Sequence, residues 1–296
     1  MPIYFDVFRD GSAFSAAPDQ GQKFPVGQRV RYKSRKSGVD HFGLSNDGGF
    51  FGNSYARQFL YKAADFKAQY AFMAEFIEPT AQCEGQSFIS LNTYDRARFT
   101  FGFGQFAAHL PNEDFIRWFK DMLGLAEAKD YFPDLSVSGD KIVRHGSSGD
   151  TILADAASTA GLQAYLNPSL VEVEDSEVLA AARFIHWTVN HRNARELQVR
   201  HMVETALRRL RDVDRAANLD GRTADLCCIV FDIRHQGRGG NSDIKEALRQ
   251  ADAFEALLTI GKVSEPERVI NLRKALTPKR EAFKAFRWSS KDKKFI

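Results

Sequence analysis

Residues 196–217 place Val199, Val203, Ala206, Leu210, Val213 and Ala217 at steps of three and four, with no glycine or proline between them. That spacing lays one apolar stripe along a helix. Arg200, Arg208, Arg209, Arg211 and Arg215 fall mostly on its other faces. A helix this long has to lie against a core, so the chain is expected to be organised around helices. The same periodicity predicts helices over 112–125, carrying Phe115, Trp118, Phe119 and Leu123, and over 175–190, 242–258 and 265–275. Residues 226–231 are continuously apolar, which suits a buried helix or a buried strand. Their helical surroundings favour helix, ended by the glycines from Gly237 to Gly240.

Toward the N-terminus, Phe59, Ala63, Phe66, Tyr70, Met73 and Ile77 form another stripe, predicting a helix over 54–77 with Ser54 as its N-cap. Pro79 is expected to end or kink it. Residues 1–54 have short β-like stretches such as 28–33, and Pro18, Pro25, Gly38, Gly43, Gly48, Gly49 and Gly52 punctuate them as loops and turns. They read as an irregular segment packed on a main domain of residues 55–296. Residues 87–105 are rich in β-branched, aromatic and glycine positions and suggest a small β element. The expected class is α+β, mainly α.

Hydrophobic residues make up 44% of the 296 positions, enough for a sizeable core. A net charge of +3 gives no strong nucleic-acid footprint. The basic runs Arg29, Arg31, Lys33, Arg35, Lys36 and Lys291, Lys293, Lys294 read as a solvated strand and a frayed tail. Three cysteines, Cys83, Cys227 and Cys228, form no CxxC pair, so neither a disulfide framework nor a zinc cage is expected. No basic region precedes a long apolar stretch at the start, and no run of apolar residues is long enough to span a membrane. The expectation is synthesis in the cytoplasm without a signal peptide. Action would then follow in the periplasm or cell wall after non-classical export or lysis, with any delivery machinery or inhibitor protein left open.

The chemistry is concentrated in residues 84–105. Glu84 follows the first predicted helix, Asp95 comes 11 residues later, and then Phe99-Thr100-Phe101-Gly102-Phe103-Gly104-Gln105. Glycosidic cleavage needs one carboxyl that is protonated near neutral pH, which a water-poor setting promotes. It also needs a second carboxylate that stays ionised. Glu84, beside Cys83 and near Phe88, suits the first role, and Asp95, flanked by Tyr94 and Arg96, suits the second. Thr100 offers a hydroxyl to hold a water. Phe99, Phe101 and Phe103 alternate along a strand and fit core as well as cleft wall.

This segment resembles the active-site segment of phage-type lysozymes: Glu-Gly after the first helix, a Tyr-Asp pair, then an aromatic-Thr-x-Gly-x-Gly hairpin. The resemblance implies a lysozyme-like two-lobed domain with a small β-hairpin beside its cleft. It implies a glycoside hydrolase (muramidase) cleaving β-1,4 linkages in peptidoglycan, with no metal or organic cofactor. By it Glu84 is the general acid, Asp95 the water-positioning carboxylate and Thr100 its assistant, while Tyr94, Phe101, Gln105, His109 and Arg234 contact the glycan. Gln105 stands where that family usually has His and lytic transglycosylases often have Gln. The Glu-to-Asp spacing is also longer, which leaves stereochemistry and hydrolase against transglycosylase open. Phe231-Asp232-Ile233-Arg234-His235-Gln236-Gly237 loosely resembles a buried late helix of chitosanases, with the order of Gln and His exchanged. Chitosan is therefore the alternative substrate. It is cationic and suits this mildly basic chain less well than peptidoglycan. A lysozyme-like protein that binds a glycan or partner without cleaving is a further alternative.

Other candidates are weaker in chemistry. His186 and His191 are five apart and do not share a helix face as zinc ligands should. Residues 144–150 hold Ser, His and Asp in one stretch, whereas triad members converge from separate segments, so a turn is expected. His235 and Arg238, with Arg234, suit either an acidic sugar substituent or a helix cap. No phosphate-binding glycine motif is present.

Overall fold

A computed structural model describes residues 1–34, 38–46 and 54–296. Arg35 and Lys36 of the first basic run, and Gly48, Gly49 and Gly52, lie outside the described residues. The chain begins with four strands, β1 (Phe5–Asp10), β2 (Ala13–Pro18), β3 (Phe24–Lys33) and β4 (Asp40–Ser45). Helix α1 (Phe72–Cys83) follows, then the two-residue strands β5 (Leu91–Asn92), β6 (Thr100–Phe101) and β7 (Phe106–Ala107). Next come α2 (Asp114–Leu123), β8 (Leu135–Ser138), β9 (Lys141–Arg144), β10 (Thr151–Ala154) and α3 (Ala160–Leu166). The longer helices that follow are α4 (Asp175–Asn190), α5 (Arg192–Ala217), α6 (Ala224–Gln236), α7 (Asn241–Ala247), α8 (Ala253–Thr259) and α9 (Pro266–Leu276). A short pair, β11 (Trp288–Ser289) and β12 (Lys294–Phe295), ends the chain.

The expectation of a mainly helical, lysozyme-like domain with one small hairpin does not hold. Strands β1 to β7 form a single seven-stranded antiparallel sheet in sequence order, and β8 to β10 form a second sheet. The supposedly irregular leader supplies the four longest strands of the first sheet. β1 hides its nature because only Phe5 is buried in it, while β2 buries alternate residues, Phe14 and Ala16 among them. The basic residues Arg29, Arg31 and Lys33 alternate along the outer half of β3, where Arg31 pairs with Asp40 at 2.6 Å and Arg29 lies over the Phe42 ring.

The chain divides into two compact units, residues 1–60 with 85–201, and residues 61–84 with 202–296. In the first, α4 covers β1, β2 and β3, and the His186 ring lies 5.3 Å from Phe5 and 5.7 Å from Phe24. Its core is aromatic: Phe99, Phe101, Trp118, Phe119 and Phe132 place their ring centres 5.0–5.5 Å from Phe184, a range in which aromatic rings attract one another. Phe101 is fully buried there, so it is a core residue and has no surface to offer a glycan. Gln198 on α5 is also fully buried and donates to the Phe88 carbonyl at 3.0 Å while accepting from the Phe103 amide at 3.2 Å. It ties the helix to the loops that flank β5 and β6.

The second unit has its own aromatic core. Phe72 stacks on Phe286 at 3.8 Å, and Phe76 is surrounded by Phe231, Phe283 and Phe295. The helix expected over 54–77 is displaced. Residues Ala56–Phe59 and Ala63–Phe66 are 3-10 turns, and Ala71, at φ +47°, breaks the stripe before α1 begins. Pro79 then sits inside α1 rather than at its end. Its ring nitrogen has no hydrogen for the Glu75 carbonyl one turn back. The helix expected over 242–258 is two, α7 and α8.

Candidate active site

Glu84 caps the C-terminus of α1, where Gly85 (φ +87°) and Gln86 (φ +63°) turn the chain out of the helix. Its carboxylate is the outer end of a line of charges inside the second unit. Glu84 Oε1 lies 2.8 Å from Arg268 Nη1 and 3.7 Å from His235 Nε2. Arg268, on α9, turns the rest of its guanidinium to Asp232 on α6, with Nη2 2.7 Å from Oδ2 and Nε 3.3 Å from Oδ1. Asp232 is completed by Arg238 Nη1 at 2.5 Å. The order is Glu84, Arg268, Asp232, Arg238, with alternating sign. Only Glu84 has appreciable access: its side chain is 16% exposed, against 9% for Arg268, 0% for Asp232 and 1% for Arg238. Both Arg268 and His235 address Oε1.

Backbone groups fix the two arginines further. Arg268 Nη1 donates to the Cys83 carbonyl at 3.2 Å, and Arg238 Nε to the Ile260 carbonyl at 3.2 Å. Gly261 (φ +77°) lies flush against Arg238, and a Cβ there would stand 2.6 Å from Arg238 Cδ. Burial by itself would raise the Asp232 carboxyl, but Arg268 and Arg238 hold it below its ordinary value. Burial likewise works against the charge on Arg268, and Glu84 and Asp232 overcome it and strengthen the guanidinium's hold on its proton.

Cys83, next to Glu84, has its thiol pushed up to about 12 by burial and by the nearby Asp232, with Arg268 opposing. Cys227 and Cys228 are fully buried and also raised, first by burial. A thiol in that state is a poor nucleophile. None of the three should therefore react with iodoacetamide at pH 7.5 in the folded protein, and all three should react in urea. Mass spectrometry of the alkylated chain checks this, and rapid native labelling of Cys83 would contradict it.

The other sequence candidates divide between the units. Arg234 lies in the second, on α6, and donates to the Gly239 carbonyl at 3.0 Å, the helix-capping role. In the first unit, Tyr94, Asp95, Thr100, Gln105 and His109 gather at the β5–β7 end of the large sheet. Thr100 pairs with Asn92 and Ala107, and Gln105 Oε1 accepts from Asn92 Nδ2 at 2.7 Å. Asp95 accepts from the Ala97 amide at 2.8 Å, which makes it the cap of its own turn. Tyr94 leans on Tyr32, ring centres 5.8 Å apart. His109 is the unusual member. Both ring nitrogens are shielded from solvent, and neither has a hydrogen-bond partner among the described residues. Burial and then Arg96 lower its pKa, with Asp95 opposing, so the ring is neutral near pH 7.

No family model, curated protein or solved structure matches the chain.

In residues 144–150 the histidine lies between Asp150 of the same stretch and a serine from outside it, Ser136. His145 Nδ1 is 2.8 Å from Asp150 Oδ1, and Nε2 is 2.8 Å from the hydroxyl of Ser136 on β8. His145 and Asp150 are 45% and 62% exposed, open to water that a triad normally excludes. The arrangement staples the loop after β9 onto β8. Among the described residues no three His, Cys, Asp or Glu side chains form a metal-ligand group, and no helix is long and apolar enough to cross a membrane. Sequence reading missed Arg268. Its signal was its place: it precedes Leu272 and Leu276 by one and two helical repeats, on the buried stripe of α9.

Proposed function

We propose that the protein is a glycoside hydrolase acting on an amino-sugar polymer, peptidoglycan by preference, with Glu84 as the carboxyl that delivers the proton to the departing oxygen. The observation that carries this reading is the setting of Glu84: one accessible carboxylate at the end of an otherwise buried line of charges. Burying charged groups in pairs gives little net stability compared with packing apolar residues in the same space. Such an arrangement instead holds the outer carboxylate in one place.

Glu84 is not in an apolar crevice, as the sequence suggested, but beside an arginine. Arg268 gives two of its hydrogen bonds to Asp232 and turns one nitrogen to Glu84, and both carboxylates help it keep its proton. That leaves a carboxyl fixed through Oε1, which both Arg268 and His235 address. The mild positive charge favours a polymer bearing carboxylates over cationic chitosan.

The test is mass spectrometry of fragments released from purified cell walls and, in parallel, from chitosan oligomers. Wild-type protein is expected to release muropeptides from walls. Glu84→Gln, which keeps the side chain's size, is expected to be slower by about a hundredfold or more with an unchanged circular dichroism spectrum. Release from chitosan alone would move the substrate. Equal rates for wild type and variant, or no release from either polymer, would remove Glu84 from the reaction.

A further inference from the structure

We propose that a cavity in the first unit, lined by α3, α4 and the ends of β8 and β9, binds a small ligand that ends in a free carboxylate, has a short apolar body and carries no free amine. This rests on different residues from the glycosidase reading and stands without it. The cavity measures about 490 Å³, within the range of about 300–1,000 Å³ typical of small-molecule sites. Its walls are largely apolar, with Pro133, Leu179 and Ala180 among them, and its charged groups are Asp134, Arg144 and Arg183.

The charges there do not balance. Asp134 is fully engaged: Oδ2 accepts from Arg144 Nε at 3.0 Å and Oδ1 from the Tyr165 hydroxyl at 2.9 Å. Asp134 and Arg144 therefore neutralise each other. Arg183, from the middle of α4, is left over. It forms no ion pair among the described residues; its one hydrogen bond is a long one, 3.4 Å from Nη1 to the Tyr165 oxygen. Its Nε is sealed from solvent with no partner, and its guanidinium lies 5.6 Å from the centre of the Phe132 ring. A half-buried guanidinium on the cavity wall with no carboxylate against it is unfavourable unless something supplies an acceptor. A carboxylate matches the planar fork of that group. The only acid in the cavity is already spent, so a ligand ammonium would find no counter-charge and would face two arginines. The occupant is therefore an anion whose amine is blocked, such as the end of a peptide or an acylated amino acid. Leu179, Ala180 and Pro133 give room for small side chains like alanine's.

Isothermal titration calorimetry of the full chain with N-acetyl-alanyl-alanine tests this. The expected result is saturable binding with a Kd at or below about 1 mM. The C-terminal amide of the same compound, and alanyl-alanine with its free amine, are expected to bind at least tenfold more weakly. The D,D and L,L forms distinguish a cell-wall peptide from a protein C-terminus, and preference for either supports the site. Arg183→Met should weaken binding at least tenfold without lowering the melting temperature. Because Ala164 is an exposed cavity residue on α3, Ala164→Trp should block the site by filling it, with the fold kept. No heat up to about 10 mM, an amide that binds as tightly as the acid, or full binding by Arg183→Met would overturn the proposal. A melting temperature lowered in Arg183→Met, with binding unchanged in Ala164→Trp, would show that Arg183 serves the fold alone.

Discussion

Asp232→Asn is expected to destabilise the second unit by about 3–5 kcal/mol, the loss typical when one partner of a buried ion pair is removed. The asparagine fits the same space, but Arg268 and Arg238 would then share no carboxylate, and both are nearly inaccessible to water. Urea unfolding followed by circular dichroism measures the change, as a shift of midpoint at constant slope. A shift equivalent to less than about 1 kcal/mol would mean that the two arginines find other acceptors. Because the Asp232 carboxyl is held below its ordinary value of 3.8, its contribution is complete above that pH. It is lost only as pH falls further, through the lowered value in the folded protein. Asp232→Asn should therefore be less stable than wild type by a constant amount at every pH above 4, and the two should converge in strong acid.

The second large effect is one of pH. Glu177 on α4 is fully buried in the first unit, and burial pushes its carboxyl from 4.5 to about 7, with hydrogen bonds from Thr93 and the Leu44 amide opposing. The Thr93 hydroxyl and the Leu44 amide, the latter at 3.2 Å, both donate to Oε1, while Oε2 has no hydrogen-bond partner among the described residues. Near Glu177 the backbones are closely packed: a Cβ on Gly43 would stand 2.7 Å from the Thr93 carbonyl carbon and the Tyr94 amide. Water has little room to follow the charge. The folded state keeps a proton that the unfolded chain releases above pH 4.5, so Glu177 stabilises the fold fully below that pH. The contribution declines as pH rises to about 7. The total loss over that interval is roughly 3 kcal/mol by the linkage of pKa to stability. Glu177→Gln keeps the acceptor oxygen and cannot ionise. The difference in stability between variant and wild type should thus grow in the variant's favour between pH 4.5 and 7 and then level off. A difference that stays flat with pH would show that Glu177 is ionised in the fold.

The helical part of this architecture was readable because its signal is local. α4 runs over the residues its periodicity indicated, and α5 over four more at its N-terminus. Gly237, at φ +81°, ends α6 where the glycines said it would. The sheet was not readable because its information lies between strands. β1 leaves most of its residues exposed, and Pro25 is tolerated at an exposed position in β3, so neither shows clean alternation. The misplaced first helix has a different cause: Phe59, Ala63 and Phe66 repeat at helical spacing, yet the unusual backbone of Ala71 separates them from α1. At the candidate site, Glu84, His235 and Arg238 were visible as chemistry, but the pairing that gives them meaning was not. Arg268 reaches Asp232 across 36 positions of sequence, and no spacing rule reports a partner so distant.

Every neighbour in the seven-stranded sheet is also the next strand in the chain. The three strands around Asn92, Thr100 and Gln105 are two residues long and depend for their alignment on β4, through the pairing of Ser45 with Asn92. A shortened chain starting at Ser54 would keep every residue named for chemistry, yet leave β5 as a bare edge. Such edges recruit other chains. Deleting the first fifty residues is therefore expected to expose that edge and to promote self-association.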